Sequence, residues 1–123
     1  MAATERQQHM GLLRKDGTVD KSAIRTIAKA LAGMMFDDLC EYADRDGGML
    51  STIARLTQLR ERTSPRDLFL AICMVYDEMR RPLPDLIWWI AGNDEIVPIF
   101  VDSFVQSLSQ ILKHIQNEGG HSK

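Results

Sequence analysis

Residues 96–117 read IVPIFVDSFVQSLSQILKHIQN, and this stretch decides the fold. Val97, Val101, Phe104, Leu108, Ile111 and Ile115 recur at alternating steps of four and three. That spacing holds side chains on one stripe of an α-helix for about three heptads. Pro98 falls in the expected first turn, where a missing N–H costs nothing, and Gly119-Gly120 is the expected stop. A stripe this long must be covered, either by the chain's own core or by a second copy. Val105 and Leu112 widen it beyond a coiled-coil seam, as a core-facing helix requires.

Upstream, punctuation residues divide the chain into further helices. Asp85 opens a short segment through Ala91, broken by Gly92-Asn93. Before it, Ser64-Pro65-Arg66-Asp67 supplies a capping hydroxyl, a first-turn proline and a carboxylate facing the positive helix end. Leu68, Phe69, Ile72, Cys73, Tyr76 and Met79 then give one broad apolar face, and Pro82 and Pro84 are expected to stop the helix. Ser51 is placed to start a shorter helix through about Glu61, carrying Ile53, Leu56 and Leu59. The first long helix is capped by Asp20 or Ser22, carries Ile24, Ile27, Leu31, Met35, Leu39 and Tyr42, and ends before Gly47-Gly48. No alternating run of β-branched residues is long enough for a sheet. The expected fold is all-α: a compact bundle of four to five helices over residues 20–118, preceded by a partly disordered arm (1–19) and followed by a loose tail (119–123). The arm carries Met10, Leu12 and Leu13 and closes in a turn at Lys15-Asp16-Gly17-Thr18.

Size and composition set the functional limits. A chain of 123 residues fits one hydrophobic core, and 45% hydrophobic with 26% charged residues is an ordinary globular balance. The net charge of -2 gives no general attraction for nucleic acid. The first residues lack the basic-then-apolar order of a secretory signal, and no apolar run reaches the roughly 18 residues of a membrane span. A cytoplasmic location away from any membrane is the expectation. Cys40 and Cys73 both sit inside helical apolar patterns, where a free cysteine acts as a small hydrophobe, so a disulfide is not expected.

Catalytic and metal-binding patterns fail on their spacing. Aligning Gly47 with the glycine of a calcium loop puts Tyr42 at the first ligand position and Ile53 where a bidentate glutamate belongs. His9, His114 and His121 share no ligand spacing with each other or with the cysteines. Asp37 and Glu41 lie one helical turn apart, but such a pair is far more often solvated than an acid–base couple. There is no glycine-rich phosphate cradle or nucleophile elbow. No enzyme activity, cofactor or metal is expected.

Binding surfaces are the remaining source of function. Leu86-Ile87-Trp88-Trp89-Ile90 places five apolar side chains in succession, pointing all round a helix. In a domain this small a short connecting helix is not expected at the centre, so part of Trp88-Trp89 is left for another chain. Leu86, Ile87, Trp88 and Trp89 are the first candidate contact residues, with Phe100, Phe104 and Leu108 of the last helix as the second. The expected function is a small regulatory or adaptor protein that binds another protein, or a second copy of itself, through this apolar surface, masking a dimerisation or docking site. The acidic stretch Asp37, Asp38, Glu41, Asp44 and Asp46 would steer a basic partner. The alternative is DNA or RNA binding through Arg55, Arg60, Arg62 and Arg66. Glu61 and Asp67 interrupt that cluster, and the acidic stretch before Gly47-Gly48 would be repelled by phosphate, which makes nucleic acid the lesser expectation.

Overall fold

The computed structural model describes residues 14, 16–43 and 48–121. Among these residues it contains five helices and no β-strand: α1 (Lys21–Ala43), α2 (Gly48–Arg62), α3 (Pro65–Glu78), α4 (Asp85–Ala91) and α5 (Ile96–His121). The bundle of helices expected from the apolar periodicity is therefore present. The arm before residue 14 and the last two residues lie outside the described part of the chain.

Local chemistry accounts for most helix ends. The turn before α1 forms where the Thr18 amide and hydroxyl both donate to Asp16 Oδ1, at 3.0 and 2.7 Å. Gly17 beside it takes φ +86, a conformation that penalises a Cβ. Asp20 caps α1, its Oδ1 accepting from the Ala23 amide at 3.1 Å. Ser64 caps α3 in the same way, accepting from the Asp67 amide at 3.2 Å, with Pro65 in the first turn. Asn93 both ends the α4 connection and opens α5, because its Oδ1 accepts from the amides of Glu95 and Ile96.

Three boundaries differ from the sequence reading. Helix α2 begins at Gly48, three residues before Ser51, because the first amides of a helix have no intrahelical partner and a glycine there breaks no bond. Helix α5 continues through Gly119-Gly120 to His121. A glycine costs a helix about 1 kcal/mol but removes no backbone donor, so it weakens the turn without ending it. The end of α3 is set before either proline. The Arg81 amide donates to the Tyr76 carbonyl and the Arg80 amide to the Asp77 carbonyl, each at 3.0 Å, while Arg80 takes φ 56. This is a Schellman stop with arginine in the left-handed position usually given to glycine.

Ion pairs between helices show how they run. Arg81 after α3 reaches Asp38 and Glu41 near the end of α1, so α1 and α3 point the same way. Arg55 of α2 pairs with Glu78 at the end of α3, while Arg60 pairs with Asp102 near the start of α5, which sets α2 antiparallel to both. Arg66 at the start of α3 donates to the Ala91 carbonyl at the end of α4 and pairs with Asp94, so α4 runs back along α3. The order is up-down-up-down-up.

Helix α5 packs against all four of the others, most extensively against α1. Its buried residues Ile96, Val97, Phe100, Val101, Phe104, Val105 and Leu108 form two adjacent stripes, which lets one helix face several neighbours. Phe100 is the aromatic centre, edge-on to Phe69 at 6.5 Å and tilted against Phe104 at 5.6 Å. Ile24, Ala28, Met35 and Leu39 of α1, Ile53 and Leu56 of α2, and Ile72 and Val75 of α3 complete the core. No charged side chain is buried among the described residues. None of the described helices is long and apolar enough to cross a membrane.

Candidate functional site

The five apolar residues in α4 divide by helical geometry. At about 100° per residue, Ile87 and Ile90 face inward and are 1% and 0% exposed. Leu86 and Trp89 lie half-buried against the core edge, while Trp88 is 66% exposed. Trp88 borders a groove of about 260 Å³ between α3 and α4, lined by Phe69, Leu70, Cys73, Leu83, Ile87 and Ala91, with Arg66 at one end. Leu70 and Met74, one turn apart on α3, are 54% and 61% exposed. Leu70 and Trp88 thus place two large exposed apolar side chains on the groove, and Met74 extends the exposed apolar surface along α3.

The groove offers binding and little acid–base chemistry. Its wall is almost wholly carbon, and its one nucleophile is a poor one, since burial pushes the Cys73 thiol up from its ordinary value and favours the protonated form. Neither Cys40 nor Cys73 forms a disulfide among the described residues. Tyr76, on the core side of α3, is pushed up to about 12, first by burial and then by the charges of Asp38 and Cys73. Its ring fills the core, with 4% of its surface exposed.

The sequence candidates are not all brought to this surface. Phe100, Phe104 and Leu108 were expected as partner contacts and are instead core residues, 0% exposed, while Ile87, at 1% exposed, still lines the groove. The reason is positional: α5 is the helix on which the other four pack, so its stripes are consumed internally from Ile96 to Leu108, and only beyond them does Ile115 become exposed. Trp88 remains as an exposed anchor, with Leu86 and Trp89 at its margin. Sequence reading missed Leu70 and Met74, which stand outside the core face of α3. Their signal was an apolar pair at i, i+4 on the wrong side of an otherwise amphipathic helix.

The arginine cluster is dispersed in a similar way. Arg55 pairs with Glu78, Arg60 with Asp102 and Arg66 with Asp94, leaving Arg62 of the four without an ion pair among the described residues. A phosphate backbone would have to compete with three carboxylates already in place. Arg60 also lines an open cleft of about 390 Å³ with Arg25, Thr63, Pro98 and Asp102, where its charge is again met by Asp102. At the end of α1, Arg81 sits against Asp38 and Glu41, so part of the acidic stretch read as a steering surface ties α3 to α1. Asp37 is exposed and Glu41 is taken up by Arg81, which makes no acid–base couple of the two. Among the described residues no three His, Cys, Asp or Glu side chains come together as a metal site.

No protein-family model, curated protein or solved structure matches the chain.

Proposed function

We propose that the protein is a small non-enzymatic regulatory or adaptor protein that binds another protein through the α3–α4 surface. The observation that carries this reading is the pair of exposed apolar side chains Leu70 and Trp88 on one apolar groove, with Met74 exposed one turn along α3 from Leu70. Single exposed apolar residues are ordinary, whereas a tryptophan sharing an apolar groove with a second exposed apolar side chain has the make-up of an interface centre. The regulatory action that suits such a surface is masking: the groove takes up an apolar segment that its owner would otherwise use for dimerisation or docking.

A photo-crosslinking amino acid placed at Leu70, in cells that naturally make the protein, tests the reading. The expected result is one or a few discrete heteroadducts that disappear when Trp88→Ala is added. The same crosslinker at Arg62 on α2 should not give them. Adducts that are equally abundant at both positions, or that ignore Trp88→Ala, would reject this face as the docking surface.

A further inference from the structure

The charges around the α3–α4 patch specify what it takes up. The nearby cations are mostly engaged: Arg66 on Asp94 and the Ala91 carbonyl, Arg81 on Asp38 and Glu41, and Arg55 on Glu78. Arg80, on the turn after α3, is the remaining one. The anions are different. Asp67, Asp77 and Asp85 are exposed, and none of them forms an ion pair with a described residue.

Their spacing places them around the apolar residues. Asp67, Leu70, Met74 and Asp77 stand at i, i+3, i+7 and i+10 on α3, so one stripe of that helix reads acid, apolar, apolar, acid. Asp85 stands one turn before Trp88 on α4. Asp67 and Asp85 have a local reason for their positions, since each lies in a helix first turn where a negative charge is favoured. Asp77 has the opposite setting. It lies in the last turn of α3, which holds no basic residue, and Glu78 beside it is met by Arg55 while Asp77 is met by nothing described.

We infer that the occupant of the groove is an amphipathic helix of another protein whose apolar stripe is flanked by lysine or arginine. The inference rests on the reading of this face as a docking surface and adds the partner's chemistry to it. The groove lies between two helices, and the stripe from Asp67 to Asp77 extends on the order of 15 Å along α3, which matches about three turns of a docked helix. A second copy of this chain is disfavoured by the same charges. A two-fold contact would bring the acidic rim against its own image.

The test uses the full chain and two synthetic 16-residue helical peptides held by a side-chain bridge. Both carry the same leucine stripe, one flanked by lysines and the other by glutamates. Fluorescence anisotropy should show the lysine peptide binding about tenfold tighter at low salt, with the advantage shrinking as salt screens the rim. Asp77→Asn should remove part of the advantage, Asp67→Asn with Asp77→Asn and Asp85→Asn nearly all of it, and Trp88→Ala should weaken both peptides without altering the helical circular dichroism. Equal binding of the two peptides, still lost on Trp88→Ala, would overturn the charge selection and leave the docking surface standing. Binding of neither peptide, or binding indifferent to Trp88→Ala, would overturn the inference itself. Light scattering that showed a dimer split by Trp88→Ala would put a second copy in the groove and overturn it as well.

Discussion

Helix α5 carries two adjacent apolar stripes that are covered from Ile96 to Leu108 and open out towards the exposed Ile115, whereas α4 is apolar nearly all round and has only part of its surface covered. Hydrophobicity alone does not separate them. The difference lies in the number of neighbours: α5 meets every other described helix, while α4 is two turns long and lies at the edge of the bundle. Apolar density therefore says that a segment wants cover, and topology says whether the chain itself supplies it.

The largest break in this comparison is expected from Phe104→Ala. Removing a ring with no exposed surface should lower the unfolding free energy by about 3–5 kcal/mol, read from urea denaturation. A loss below about 1 kcal/mol would mean that the α5 stripe is not the centre of the core. The sharpest contrast comes from two neighbours in α4. Ile87→Ala should cost about 2–4 kcal/mol and Trp88→Ala less than about 1 kcal/mol, because Ile87 is buried in the core and Trp88 stands largely in solvent. Equal losses would erase the division of that helix. At the turn that sets α4 against α3, Arg80→Gly should raise stability by up to about 1 kcal/mol, since it relieves a left-handed backbone at an exposed site.

Smaller effects separate the two sides of α3. Tyr76, with an ordinary value of 10.0, is raised to about 12 in the folded chain, so the unfolded chain ionises it first. Its contribution is whole below pH 10.0 and is lost as the pH rises towards about 12, and Tyr76→Phe should flatten the alkaline fall in melting temperature over that window. On the groove side, iodoacetamide at neutral pH should modify Cys73 more slowly than the exposed Cys40, as mass spectrometry of timed samples would show.

The parts of the fold that were legible in the sequence are those written in local chemistry. Ser64 and Asp20 cap the helices that their positions announce, and the apolar periods of α1, α3 and α5 mark their buried faces. The end of α3 was not legible, because an arginine in a left-handed turn has no compositional signature and the two prolines after it drew the boundary instead. Gly119-Gly120 misled for a related reason: glycine lowers helix stability by degree, while proline removes a donor outright. For the candidate surface, Trp88 could be picked from the crowding of α4, but its separation from Ile87 required knowing which side of that helix faces α5. Leu70 and Met74 fall outside the core face read on α3, but sequence does not say whether another helix covers that side, so they did not read as a surface.

The position of α5 as the last described helix and the common neighbour of all the others bears on how the chain is made. Synthesis proceeds from the N-terminus, so α1 to α4 leave the ribosome with inner faces such as Leu39, Leu56 and Ile72 still lacking the helix that covers them. The extensive α1–α5 contact joins segments far apart in sequence, and such closures are late and slow steps. Until Leu108 emerges, apolar faces that the finished fold covers are open on the nascent chain.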